Sequence, residues 1–151
     1  MITIVFVVFI IAGVFAVMRS GNKGGAKAIR TEYEGKILEE GTFNGSMCYF
    51  ITDDRLILQK YTGLYAVYML DSIRYVSAWR EPGTGWVFIM ADEEYKPLRA
   101  EDFIGGTAAN RKMYGNGENI MPSKDAEKLC EAVVRHASKA EQVNWTEHFK
   151  K

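Results

Sequence analysis

The sequence predicts a single N-terminal transmembrane helix followed by one mainly β (α+β) domain that ends in an amphipathic helix. Three observations support this fold class: an uncharged apolar run at the start of the chain, short β-type runs separated by turn residues, and an apolar stripe with helical spacing near the end. The predicted boundaries are 1–18 for the anchor, 19–32 for a linker, 33–140 for the domain with its helix at 123–139, and 141–151 for a tail.

The N-terminal apolar run is close to the length that a bilayer requires. As a helix, residues 2–18 would rise about 25 Å, against a hydrocarbon core of about 30 Å. No basic residue precedes the run and no small-residue cleavage step follows it, so the pattern favours an uncleaved anchor over a cleaved secretory signal or a buried helix. The side chains expected to hold this anchor in the lipid bilayer are Ile4, Val5, Phe6, Phe9, Ile10, Val14 and Phe15.

The segment after this run is basic and rich in glycine, and it contains no acidic residue before Glu32. By the positive-inside rule, cations on this side place the N-terminus outside and the domain in the cytoplasm of a single-pass cell-membrane protein. We expect residues 19–32 to form a flexible tether whose cations contact the inner leaflet. These cations are Arg19, Lys23, Lys27 and Arg30.

The charge balance argues against nucleic acid as a partner. The whole chain has 19 basic and 19 acidic residues, and the four linker cations leave 15 basic residues against 19 acidic ones in the remainder. A domain with a net charge of about −4 lacks the basic face that nucleic acid requires. The two cysteines, Cys48 and Cys130, have neither disulfide nor zinc-site spacing and are expected to be small buried hydrophobes.

Short runs rich in β-branched and aromatic residues follow the linker, and turn residues separate them. Asp53-Asp54 forms a tight acidic turn, and the segment from Glu81 to Gly85 forms a second turn that contains proline and glycine. Turn signals at spacings of about 8–12 residues indicate a small antiparallel barrel or sandwich. The predicted strands are residues 46–52, 55–60, 64–70, 73–80, 86–91 and 95–99.

The C-terminal third begins with a long segment that has no regular period. Residues 104–121 are rich in Gly and Asn and are interpreted as a loop with a short strand near 119–121. Ser123 is a typical N-cap for the helix that follows. Beyond this helix, the tail is expected either to extend it or to fold back onto the domain. The apolar stripe of the helix consists of Ala126, Leu129, Cys130, Val133, Val134 and Ala137.

Three motifs carry a resemblance to a known family. Residues 49–58, YFITDDRLIL, are followed by Leu-x-x-Ile-x-x-Val at 70–76 and by Ile-Met-Pro at 120–122. Over residues 33–140 the chain resembles bacterial PH-like (GRAM-type) domains. The resemblance implies an antiparallel bent barrel capped by the C-terminal amphipathic helix and a role in binding or scaffolding, with no catalytic residue and no cofactor. The loop before the first motif has Lys36 as its only basic residue, which disfavours recognition of inositol phosphates.

No pattern in the sequence indicates catalysis or a metal site. Adjacent acidic residues at 53–54, 93–94 and 101–102 are typical of solvated turns, and the two histidines have no ligand partner at suitable spacing. Tyr65 and Tyr68 fall on opposite strand faces, so one ring should face outward. Candidate contacts with a protein partner are Tyr65, Tyr68, Arg111 and Lys112.

The sequence therefore predicts a membrane-tethered, non-enzymatic PH-like module that recognises a membrane or cytoplasmic protein through a sheet edge or a groove. Two alternatives remain open at this level: an exported or extracytoplasmic domain, and a lipid-binding PH-like module. The sequence does not determine the oligomeric state.

Overall fold

The computed structural model describes residues 24–43, 46–83, 85–121 and 125–149, and it is mainly β. Helical segments are residues 24–32 (α1), Ala108–Tyr114 (α2), Asp125–His136 (α3) and Trp145–Phe149 (α4), with a 3₁₀ turn at Leu70–Ser72. The strands are β1 Glu39–Phe43, β2 Met47–Ile51, β3 Arg55–Tyr61, β4 Leu64–Met69, β5 Tyr75–Glu81, β6 Gly85–Ala91, β7 Asp102–Gly105, β8 Glu118–Met121 and β9 Glu141–Gln142.

The strands form two separately hydrogen-bonded sheets. Sheet 1 has the order β1-β2-β3-β4-β7, and sheet 2 has the order β8-β6-β5-β9. The pairs are antiparallel apart from β5 with β9, where the end of the chain returns alongside β5 in the parallel direction. This arrangement corrects the prediction of one antiparallel bent barrel, because each sheet keeps its own edges and the C-terminal return adds a parallel pair.

The central core lies between the two sheets. Side chains alternate along each strand, so Leu56 and Leu58 of β3 face the same interior as Phe88 and Met90 of β6. The helix α3 packs against β5, β6 and β1 and adds its own apolar stripe to this core. Val134, which the sequence assigned to the stripe, is exposed. The buried residues of the helix are Ala126, Leu129, Cys130, Ala132, Val133 and, just beyond it, Ala137.

The helix α1 covers the outer face of sheet 1. Ala26 and Ile29 are buried against Phe50, Ile57 and other outward side chains of the sheet. Over residues 24–32 the structure therefore differs from the flexible linker that was expected at residues 19–32, and residues 19–23 lie outside the described part of the chain. The physical reason is the three-residue spacing of Ala26 and Ile29, which puts both on one helical face against apolar side chains of the sheet.

The C-terminal segment covers the outer face of sheet 2. Ser77 Oγ donates to the carbonyl of Val143 at 2.7 Å and accepts from the backbone N–H of Trp145 at 3.1 Å. The Trp145 ring is buried and stacks parallel to Trp79, with ring centroids 6.3 Å apart. Of the two alternatives for the tail, the structure therefore shows the one that folds back onto the domain.

The predicted transmembrane helix is wrong for the part of the chain that the structure describes, where no helix is long and apolar enough to cross a membrane. The proposed anchor at 1–18, with Ile4, Val5, Phe6, Phe9, Ile10, Val14 and Phe15, lies outside the described residues.

The segment at 104–121, expected to be a loop, contains more regular structure than its composition suggested. Residues of β7 pair with β4, and α2 begins after Thr107, whose side chain accepts from the N–H of Asn110. The helix predicted at 123–139 is observed over Asp125–His136, and its proposed N-cap, Ser123, lies outside the described residues.

Candidate functional site

A cleft of about 330 Å³ opens where the ends of the two sheets approach each other. Sheet 1 contributes the ends of β1, β2 and β3, and sheet 2 contributes its edge strand β8. The segment between α2 and β8 forms the rest of the wall. The lining residues are Phe43, Met47, Gln59, Lys60, Tyr114, Asn116, Glu118 and Asn119.

Lys60 is the most unusual residue of the cleft, because its side chain is charged in water yet only 7% of it is exposed here. Its Nζ donates to the carbonyl oxygens of Asn116 at 2.7 Å and Glu118 at 2.9 Å. Tyr68 Oη also donates to the Asn116 carbonyl at 2.7 Å. Burial lowers the pKa of Lys60 to about 7, and attraction to Glu118 opposes part of that change. The amine therefore ties β3 to the chain just before β8 and titrates near neutral pH.

Asn119 adds a second polar group to the same wall. Its Nδ2 is buried and has no hydrogen-bond partner among the described residues. A buried amide donor without an acceptor is costly, by about 1–3 kcal/mol.

Aromatic residues form one rim of the cleft. Tyr114 lines the cleft and stacks on Tyr61, with ring centroids 5.7 Å apart and ring planes 7° apart. Met113, beside Tyr114 on α2, is 68% exposed. Apolar surface next to a small number of polar groups is typical of ligand-binding clefts.

Charged side chains of both signs lie near the cleft. Arg111 and Lys112 lie in the last turn of α2, three and two residues before Tyr114, and both are exposed. Arg111 Nε donates to the carbonyl of Gly105 at 3.0 Å, which fixes its position. Glu118 contributes an exposed carboxylate on the opposite wall.

A second charged cluster joins α3 to β1. Glu39 accepts from Arg135 at 3.0 and 3.2 Å, lies 2.7 Å from the Nε2 of His136 and accepts from Tyr49 Oη at 3.2 Å. Hydrogen bonds from Arg135, then from His136 and Tyr49, lower the pKa of Glu39 to about 2, although burial acts in the opposite direction. Both oxygens of the Glu39 carboxylate are engaged in these contacts, so the cluster has a structural role and joins α3 to β1.

The described residues include no group of three or more His, Cys, Asp or Glu side chains placed to hold a metal ion. The acidic turn residues Asp53 and Asp54 are exposed, as are Glu93 and Glu94. Cys48 and Cys130 are both buried and unpaired, as the sequence predicted.

The structure places the predicted partner contacts in different environments. Tyr65 and Tyr68 are each only 1% exposed. Neither ring faces solvent, because α1 covers the outer face of sheet 1 and sheet 2 covers its inner face. Arg111 and Lys112 are exposed on α2, near the cleft.

The four predicted inner-leaflet contacts also differ in where they lie. Arg19 and Lys23 lie outside the described residues, and Lys27 is exposed on α1. Arg30 instead forms a bidentate ion pair with Glu40, at 2.9 and 3.1 Å, and its guanidinium lies 5.6 Å from the centre of the Phe50 ring.

Sequence analysis did not identify Lys60 or Asn119. Lys60 comes two residues after the apolar run Leu56-Ile57-Leu58. Because every second side chain of a strand points to the same face, Lys60 could have been placed on the inner face of β3 together with Leu56 and Leu58. Its acceptors are 56 and 58 residues away in the chain, and no local pattern signals such a contact.

Comparison with protein-family models, curated proteins and solved structures found no match. The resemblance to PH-like domains and the location at the cytoplasmic face of a cell membrane therefore stay predictions.

Proposed function

We propose that this protein is a non-enzymatic binding module that holds a segment of a protein partner in the cleft between its two sheets. The observation that supports this most directly is Lys60, which lines the cleft and donates to two carbonyl oxygens, so one N–H of its ammonium form remains for a ligand. A bound segment with a carbonyl or carboxylate oxygen beside Lys60 could accept from it.

The edges around the cleft suit an extended peptide. The strand β8 lies at the edge of sheet 2, and β1 lies at the edge of sheet 1. Exposed strand edges commonly bind extended segments, which gain main-chain hydrogen bonds and place alternate side chains in pockets. Tyr114 and Met113 offer apolar surface for such side chains.

An array of random ten-residue peptides tests this proposal. The full-length protein should select a limited set of peptides, and Tyr114→Ala should weaken their binding by about tenfold because it removes one rim of the cleft. The helix α2 has no buried residue, so this variant should fold normally. Dissociation constants of the selected peptides, measured by fluorescence anisotropy, provide the comparison.

The matched control is Val134→Ala, which removes an exposed apolar side chain from α3 that is not among the residues lining the cleft. This control should keep the selected peptides and their affinities. Binding by Tyr114→Ala that equals wild type, or loss of binding in Val134→Ala alone, would contradict the proposal.

A further inference from the structure

The cleft contains a hydrogen-bond donor that lacks an acceptor among the described residues. Lys60 lines the cleft and donates to two carbonyl oxygens, which leaves one N–H of its ammonium form available. Asn119 lines the same cleft, but its Nδ2 is covered by the protein. The wall at Lys60 is therefore suited to a group that can accept a hydrogen bond.

The charge of Lys60 also lacks compensation. Within the described chain, no carboxylate lies within ion-pair distance of its Nζ, and Glu118 acts on it only from a distance. A buried charge is strongly destabilised unless it is paired. A ligand that brings a negative charge to this position would therefore gain both an ion pair and hydrogen bonds.

The remaining walls define the rest of the ligand. Phe43 is buried, Met47 is partly buried, and Tyr114 forms the rim. These side chains offer apolar contact and few polar atoms. The ligand that matches the cleft thus has a charged acceptor at one end and an apolar group beside it.

We propose that the cleft binds a carboxylate next to an apolar group, with Lys60 donating to its oxygens and Phe43, Met47 and Tyr114 contacting the apolar part. This inference rests on the proposed function and specifies its chemistry. The carboxyl terminus of a protein partner and a free organic acid both have this chemistry.

Nearby titratable groups determine how binding depends on pH. Lys60 faces Tyr68 from β4 and Glu118 from β8, and Tyr114 of α2 lines the same space. Burial raises the pKa of Tyr68 further above its usual range, so this phenol stays neutral at moderate pH. Glu118 repels an anion, whereas protonated Lys60 attracts it.

Four probes test the inference on the full-length protein: hexanoate, hexanamide, and the peptide acetyl-Gly-Ser-Ala-Leu with a free or an amidated carboxyl terminus. At pH 6.5 each acid should bind about tenfold more tightly than its amide, because one charge-assisted contact is worth roughly that factor. The side-chain amide resonance of Asn119, followed by NMR in ¹⁵N-labelled protein, should shift with the acids. Equal affinities for acid and amide would overturn the carboxylate inference.

Raising the pH tests the same contact in the unaltered protein. The affinity for hexanoate should fall between pH 6.5 and pH 9 as Lys60 loses its proton, while that for hexanamide stays constant. An affinity for hexanoate that is independent of pH would overturn the role of Lys60.

Lys60→Met is the matched loss variant, and it should bind acid and amide equally. An acid preference that survives in Lys60→Met would overturn the inference. If this variant fails to fold, the pH series on the unaltered protein still decides the question.

The outcomes separate this inference from the proposed function. Peptides that bind equally well as acid and as amide would overturn the carboxylate chemistry and leave protein recognition standing. Hexanoate binding without binding of any peptide would support the carboxylate chemistry and overturn protein recognition. Failure of all four probes and of the peptide array would overturn both.

Discussion

Among individual residues, Lys60 shows how a buried cation can connect two sheets. It lies on β3 among apolar neighbours, yet its amine bonds to two carbonyl oxygens in and just before β8. The charged form is disfavoured by burial, whereas the hydrogen bonds favour keeping the amine in place. This residue therefore connects the stability of the fold directly to pH.

The stability of the protein should rise as the pH increases above neutral. The pKa of Lys60 is about 7 in the folded protein, and in the unfolded chain it is about 10.4. Between these values the unfolded chain binds the proton that the folded protein has released, so a higher pH favours folding. From pH 7 to pH 8.5, the free energy of unfolding should increase by about 1.5 kcal/mol relative to Lys60→Met, as measured by urea denaturation.

The comparison with Lys60→Met removes the contributions of other titrating groups. Burial raises the pKa of Cys130 to about 12 and also raises that of Cys48, and these effects are present in both proteins. A difference between the two proteins that does not change with pH would contradict the position assigned to Lys60.

Among the elements, α1 approaches sheet 1 most closely at a glycine, Gly25. A methyl group at Gly25 would lie 2.8 Å from Cε2 and 2.9 Å from Oη of Tyr65, whose ring is buried and held by its neighbours. At Gly24 an added methyl group would meet no described atom within 4 Å. The two adjacent glycines therefore have different functions in the same helix.

Alanine substitutions at these two positions should have opposite effects. Gly24→Ala should stabilise the protein by about 0.5–1 kcal/mol, because alanine is the better helix former. Gly25→Ala should destabilise it by about 1–3 kcal/mol, because the new methyl group overlaps Tyr65. Thermal and urea denaturation of both variants measure the difference, and equal effects would show that α1 does not contact Tyr65.

Local patterns predicted some elements and missed others for identifiable reasons. Apolar residues and turn signals located β2 to β6, because each of these strands is a short apolar run that is bounded by turn residues. The short helix α2 buries no side chain, so it has no apolar stripe, and only the N-cap Thr107 signals it. In α1 the glycines suggested flexibility, and the packing of Ala26 and Ile29 depends on strands that follow later in the chain.

In the whole molecule, three apolar layers are stacked across two sheets. The central layer lies between the sheets. The second layer lies between α1 and the outer face of sheet 1, and the third lies between the C-terminal segment and the outer face of sheet 2. The outer faces of both sheets would expose large apolar surfaces without these covers. Sequence analysis predicted the central layer from the alternation of apolar residues along the strands. It did not predict the two outer layers, because the segments that cover the outer faces of the sheets lie elsewhere in the chain.

Removal of α1 should expose the thiol of Cys48 and leave Cys130 protected. Cys48 lies under α1 and bonds to Gln59 at 3.2 Å, whereas Cys130 lies in the central core. A fragment of residues 33–151 should therefore react with a thiol reagent at Cys48 at least about tenfold faster than a fragment of residues 24–151. Mass spectrometry of the labelled peptides measures both sites.

Cys130 is the internal reference in this experiment. Faster labelling at both cysteines would indicate general unfolding of the shorter fragment. Unchanged labelling at Cys48 would contradict the cover that α1 provides.

The positions of the two covers have a mechanical consequence. Since α1 and the C-terminal segment lie on opposite outer faces, a force that pulls the two termini apart would act first on these covers. Each would detach as a short segment before the strands around the central layer separate from one another. Stretching would thus expose the apolar outer faces of both sheets while the core between the sheets stayed packed.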